Sequence, residues 1–194
     1  MKALYVDFDG TLTNDRYWRS LLEEEYKKVQ DLLFGNDKTL VSEWMRGRYT
    51  AEEINRFLED KLNLPYEYLW KIFVTDCETL SVSRDTLNCV SQLKSEYVTV
   101  LMTGNMDSFS RFTVPALKLD SHFCYISNSY NEGIHKTDNN GELFRIWADK
   151  LNIKLEDSIL IDDQEKVCDT FDSLGGISHK VSSVGETFKI LSSL

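Results

Sequence analysis

Two carboxylates, Asp7 and Asp9, follow the short apolar run ALYV and are themselves followed by Gly10 and Thr11. Further reactive groups close apolar runs elsewhere: Thr103, with Gly104 behind it, ends VTVLM, and the pair Asp162-Asp163 ends SILI. Short runs of this kind, bounded by polar residues, read as buried strands. In an open parallel sheet, ligands bind beyond the carboxyl ends of the strands, so these acids and this hydroxyl converge on one edge. Clustered carboxylates repel one another unless a cation holds them. Hard oxygen ligands suit Mg²⁺, which keeps part of its coordination sphere open and commonly works with a phosphate.

The elements that must position these groups are also legible. Residues 3–7 form the first strand. From Asn14 the pattern turns helical: Asn14 can cap a helix with Trp18, Leu21, Leu22, Val29, Leu32 and Leu33 on one face. A helix follows around Leu40–Met45, a capping box at Thr50–Glu53 opens another with Ile54, Phe57, Leu58 and Leu62 inside, and Pro65 starts a third. Residues 14 to about 82 carry no strand pattern. Beyond them strands and helices alternate: a helix capped by Ser83, strand 98–102, helix 107–117 distorted by Pro115, strand 122–127, helix 141–152, strand 158–162 and helix 164–174. Strand 177–181 and a helix boxed by Ser183 and Glu186 complete the series.

Alternation of this kind builds a parallel sheet covered on both faces. The expected fold is α/β, a three-layer, Rossmann-like core formed by residues 1–13 and 83–194. A helical, lid-like cap, residues 14–82, is inserted after the first strand.

Composition narrows the function. A chain of 194 residues is long enough for a proper core, and 42% apolar with 28% charged residues is ordinary for a globular protein. A net charge of -10 argues against nucleic acid and against an anionic membrane surface as partners. Cys77, Cys89, Cys124 and Cys168 show no metal or redox spacing and read as small buried hydrophobes in a reducing compartment. No signal-peptide pattern precedes Asp7, which implies a cytoplasmic protein. His122, His135 and His179 lack ligand spacing, and the four tryptophans at helical spacing read as core.

The stretch Asp7-Phe-Asp9-Gly-Thr-Leu-Thr13 resembles the first motif, D-x-D-G-T, of the haloacid dehalogenase-like hydrolase superfamily. Thr103 matches the second motif, Lys136 in EGIHK the third, and Asp162-Asp163 the acidic fourth, in order along the chain. The helical block lies where the first cap type of the family is inserted. The resemblance implies a Mg²⁺-dependent phosphatase acting on a small phosphorylated metabolite. Asp7 would be the nucleophile that forms an aspartyl-phosphate, and Asp9 the general acid and then base. Thr103, the amide of Gly104 and Lys136 would bind the phosphoryl group. Asp7, the carbonyl of Asp9 and Asp163 would hold Mg²⁺, with Asp162 as a supporting contact or alternate ligand.

An acid at Asp9 favours phosphate esters over carbon–halogen bonds, because halide leaves without a proton. The chain departs from the family at Thr137, where proline is frequent, and at Gln164-Glu165-Lys166-Val167, which lacks the usual serine and later acid. A sugar phosphomutase shares all four motifs, but its cap supplies a histidine, and residues 14–84 contain none. A catalytically idle phosphate-binding protein is the third reading. Finally, Arg46-Gly47-Arg48-Tyr49 places two guanidinium groups on a glycine-flexed loop, where Arg46 and Arg48 could reach a second anion on the substrate.

Overall fold

The computed structural model of the protein describes residues 2–194. Its five strands, β1 (Lys2–Val6), β2 (Tyr97–Thr103), β3 (Tyr125–Asn128), β4 (Ser158–Asp162) and β5 (Ile177–Lys180), form one parallel sheet in the order β3-β2-β1-β4-β5. Between β1 and β2 lie α1 (Glu23–Phe34), α2 (Thr39–Trp44), α3 (Ala51–Leu62), α4 (Tyr66–Glu78) and α5 (Arg84–Leu93). A π-helical turn (Phe109–Thr113), α6 (Val114–Leu117) and α7 (Leu119–His122) separate β2 from β3; α8 (Ser129–Glu132) and α9 (Glu142–Leu151) precede β4. After these come α10 (Glu165–Ser173), before β5, and α11 (Val184–Leu191).

Side chains alternate between the two faces of a strand, and here both faces are buried. Leu4 and Val6 join Leu101 and Ile161 in one apolar cluster; Ala3 and Tyr5 join Val100, Met102 and Leu160 in another. Helices α9 and α10 cover the second face through Phe144, Trp147 and Phe171. On the first face, the cluster runs without a break from the strands through Phe8 and Phe109 to Trp18, Trp44 and Phe73 of the helical block. Trp18 stacks on Phe73 with ring centroids 4.3 Å apart. Both the parallel sheet with helices on its faces and the helical insertion after β1 match the reading of the sequence.

The block is tied to the sheet by one buried carboxylate. Asp107 accepts from the Trp44 indole at 2.8 Å, from the Ala51 amide at the start of α3 at 3.2 Å and from Arg111 at 2.8 Å. The block's two connecting segments are also held side by side, since Asp15 accepts from the Ser81 amide and Arg19 donates to the carbonyls of Asp76 and Thr79.

Two elements differ from expectation. The helix expected from Asn14 begins only at Glu23, and residues 14–22 are irregular, with a turn over 17–20. Trp18 there has φ of +59°, outside any right-handed helix, and the segment is fixed by bonds to residues 56–66 positions away, which periodicity cannot show. The strand expected over 122–127 starts only at Tyr125, because 119–122 closes a helical turn. The helix expected over 107–117 is present with the expected distortion: a π-helical turn, Phe109–Thr113, runs directly into α6, where Pro115 has no amide to donate.

Candidate active site

The chemistry gathers where β1, β2 and β4 end. Val6 lies opposite Ile161 in the parallel register, so Asp7 and Asp162 stand level on neighbouring strands. Asp7 is buried, and its amide donates to the Ile161 carbonyl at 3.0 Å, which continues the ladder one residue beyond β1. The chain then breaks sharply. The amides of Thr11, Leu12 and Thr13 all turn back to the Phe8 carbonyl, and Gly10 adopts φ of +75°. A Cβ on Gly10 would lie 2.4 Å from Asp163 Oδ2, so glycine is required both by the backbone and by the approach of that carboxylate.

Lys136 reaches this edge from the loop after α8. Its Nζ lies 3.0 Å from Asp7 Oδ1 and 2.5 Å from Asp162 Oδ2, inside the protein. The other Asp162 oxygen accepts from the Gln164 amide at 2.9 Å, which fixes the carboxylate at the mouth of α10. Burial opposes the charge on Lys136, but Asp162 and Asp7 outweigh it and hold the ammonium protonated.

Asp7, Asp162 and Asp163 offer carboxylate oxygens that all lie within 4.8 Å of one another. Asp163 Oδ1 is buried without a hydrogen-bond partner, and Asp7 Oδ1 has the Lys136 ammonium beside it. Together with Asp9, four carboxylates face a single ammonium, an arrangement that needs either protons or a hard cation. Without a cation, burial pushes Asp7 up to about 8, with Lys136 opposing and Asp162 and Asp9 adding to the rise. Asp163 is raised by burial and then by Asp162. The residues present therefore fit a divalent cation with oxygen ligands. The Asp9 carboxylate is outside this group.

Asp9 is engaged elsewhere. Asn105 Nδ2 donates to Asp9 Oδ2 at 2.7 Å. The Asn105 side-chain oxygen accepts from both the Tyr17 hydroxyl at 2.9 Å and the Met106 amide at 3.0 Å, so the amide has one orientation and must present its NH₂ to Asp9. Burial pushes Asp9 up to about 6, against the charge of Arg16. Asn105 and Tyr17 were not recognised in the sequence, although Asn105 directly follows the Thr103-Gly104 pair at the end of β2. Thr103 is buried with its hydroxyl unpartnered, and Gly104 lines the adjoining cavity.

That cavity, of about 910 Å³, lies between the strand ends and the helical block. Asp9, Gly104, Asn105 and Lys136 form part of its floor, and Gln30, Phe34 and Met45 part of its helical wall. Arg46 lines it and pairs with Asp138 through both terminal nitrogens. The structure does not bring Arg48 to the cavity. Its side chain is 70% exposed, with Nε 3.9 Å from Glu43, and it is not among the residues that line the cavity.

The sequence model of the haloacid dehalogenase-like hydrolases matches residues 1–168. Among solved structures, a HAD family enzyme from Bacteroides thetaiotaomicron in a magnesium complex is similar at a TM-score of 0.77 and 20% identity, over 100% of this chain and 99% of that one. The same enzyme with magnesium and inorganic phosphate gives 0.74 and 19%, over 93% of both chains. An L-2-haloacid dehalogenase gives 0.64 and 16%, over 97% of this chain and 87% of that one. No curated protein matches the sequence. At these identities the structural likeness carries the fold, while the motifs, their placement on one sheet edge and the family match carry the assignment. The chain belongs to the haloacid dehalogenase-like hydrolases.

Proposed function

We propose that the protein is a phosphoric monoester hydrolase that acts on a small phosphorylated metabolite, with residues 14–82 serving as a cap over the site. The observation that carries the reading is the pairing of two carboxylates in different electrostatic states. Asp7 lies against the Lys136 ammonium inside the oxygen cluster that fits a cation, where a bound cation would favour its ionised form, whereas Asp9 stands outside that cluster, held by Asn105 and pushed up to about 6, so it can carry a proton near neutrality. One is suited to attack and the other to proton transfer. A carbon–halogen bond has no use for the second.

In this reading an Asp7 oxygen attacks phosphorus, the bond to the ester oxygen breaks, and Asp9 gives that oxygen its proton. Asp9 then takes a proton from water. The water oxygen attacks the aspartyl-phosphate, the bond to Asp7 breaks and inorganic phosphate leaves. Lys136 opposes the protonation of Asp7 and offsets charge on the phosphoryl oxygens, while the Thr103 hydroxyl and the Gly104 amide donate to them. Mg²⁺, held by Asp7 and Asp163 with Asp162 beside them, would supply charge neutralisation between nucleophile and phosphate. The Bacteroides enzyme with bound magnesium and phosphate supports this choice of ion and ligand class.

The deciding experiment is phosphate release from a panel of phosphomonoesters with Mg²⁺, for the wild type, Asp7→Asn and Asp9→Ala. Asp7→Asn should abolish turnover. Asp9→Ala should cost roughly 10²–10⁴-fold, and less for esters with good leaving groups. Release of halide from a 2-haloacid, with no phosphate from any ester, would reassign the protein.

A further inference from the structure

We infer that the substrate carries a second anionic group, held at the helical wall of the cavity by Gln30, Lys38 and Arg16. The inference rests on the phosphatase reading above and specifies its substrate class.

The chain as a whole has a net charge of -10, yet the cavity reverses the sign. Arg16, Lys38, Arg46, Lys136 and Lys166 line it against Asp9 and Asp138 alone. Two of these cations are already occupied, Lys136 by Asp7 and Asp162, and Arg46 by Asp138. Among the described residues, no carboxylate lies within 4.0 Å of the charged nitrogens of Arg16, Lys38 or Lys166. Arg16 donates only to the Asp15 carbonyl, and its charge is near enough to Asp9 to favour the ionised carboxylate. It therefore stands toward the leaving-group side of the reacting centre.

Gln30 supplies an independent observation. It lines the same cavity from α1, one helical turn before Phe34, and its side-chain Nε2 is buried without a partner. A buried amide donor left unpaired is destabilising, and a ligand oxygen would relieve that cost. Gln30 Nε2, Lys38 and Arg16 are all donors, so the group they fit is rich in acceptors and negatively charged. Phe34 and Met45 offer the apolar contact that a short carbon skeleton needs. The class is a phosphorylated carboxylic acid or a small bisphosphate.

Three matched esters test it, with Mg²⁺ present: 3-hydroxypropyl phosphate, 3-(phosphonooxy)propanoate and propane-1,3-diyl bisphosphate. One or both of the charged esters should exceed the hydroxyl ester in kcat/KM by about 10-fold or more, expressed mainly in KM, and the better of the two identifies the anion. In Lys38→Gln and in Gln30→Leu this ratio should fall toward one. Equal kcat/KM for all three esters, or a ratio that neither variant moves, would overturn the inference while leaving the phosphatase reading intact. Should no ester, 4-nitrophenyl phosphate included, release phosphate, the phosphatase reading itself falls. Calorimetric titration of the same three esters into the Mg²⁺-loaded protein then decides the subsite: tighter binding of a charged ester sustains it, and equal Kd values reject it.

Discussion

Arg46 grips Asp138 through both guanidinium ends, with Nη2 at 2.9 Å from Oδ1, and so joins the loop after α2 to the loop that presents Lys136. Asp138 also accepts from the His135 amide at 2.8 Å, and His135 meets Ser42 of α2 at 3.2 Å. The clasp spans the cavity, and both side chains are only partly exposed, at 26% and 22%. A bidentate pair in that setting should contribute about 1 kcal/mol. A double-mutant cycle of Arg46→Ala and Asp138→Ala, read by denaturant unfolding, should return a coupling of that size. A coupling near zero would reduce the clasp to two independent surface groups.

The chain Tyr17–Asn105–Asp9 should act through position rather than contact with phosphorus. Asn105→Ala removes the donor that leaves only one Asp9 oxygen free, and Tyr17→Phe removes one of the two bonds that orient the amide. Asn105→Ala should lower kcat about 10-fold or more on poor leaving groups and much less on good ones, with Tyr17→Phe following the same pattern more weakly. A loss that is uniform across leaving groups would place Asn105 outside proton transfer.

Gly10→Ala should separate stability from function. The new methyl meets Asp163 Oδ2 at 2.4 Å and the residue sits at φ of +75°, so the Asp163 side chain must swing away. Positive φ for alanine costs about 1 kcal/mol, a tolerable loss for a domain of this size. The displaced carboxylate should weaken Mg²⁺ activation about 10-fold or more. Folding checked by circular dichroism, with Mg²⁺ titrated by activity, measures both; unchanged Mg²⁺ dependence would remove Asp163 from the cation site.

The metal-free protein should be more stable in mild acid than at neutrality. Burial raises Asp7 from 3.8 to about 8 and Asp9 from 3.8 to about 6, and Asp163 moves in the same direction. Between these values the native chain retains protons that the unfolded chain has released, so the slope of stability with pH is negative. With chelator present, Tm should fall from about pH 5 to about pH 8. The fall should shrink in Asp7→Asn and on addition of Mg²⁺, which binds the ionised form. A Tm that rises with pH over this window would contradict the crowding of the four carboxylates.

The sequence disclosed most of the sheet, because a strand buried on both faces is an uninterrupted apolar run and its last residue marks the reactive edge. SILID appears unchanged as β4, and the capping signals at Thr50, Ser83 and Ser183 each open a helix. The grouping of Asp7, Lys136, Asp162 and Asp163 followed from the motif resemblance and the rule for strand ends. What stayed hidden depends on distance through space. Asn105 meets Asp9 across 96 positions and Asp107 meets Trp44 across 63, and neither asparagine nor aspartate in a loop announces its partner. Arg46 lines the cavity and Arg48 does not, and the partner that holds Arg46 there, Asp138, lies 92 positions away, which no local pattern encodes.

The apolar cluster shared by the sheet and the helical block has a consequence for cooperativity. Helices α1–α4 run from 6 to 13 residues, too short to persist alone in water, and their buried aromatics belong to the same cluster as Leu4 and Val6. The block therefore has no reserve of stability that survives loss of the sheet. Heating should melt both in a single calorimetric transition whose van't Hoff and measured enthalpies agree, and the slowest amides of α3 and α4 should exchange with those of β1. Any opening that admits a ligand is then a local event at the cavity rim, drawn from the low-energy end of the fluctuations, while the aromatic core of the block stays closed.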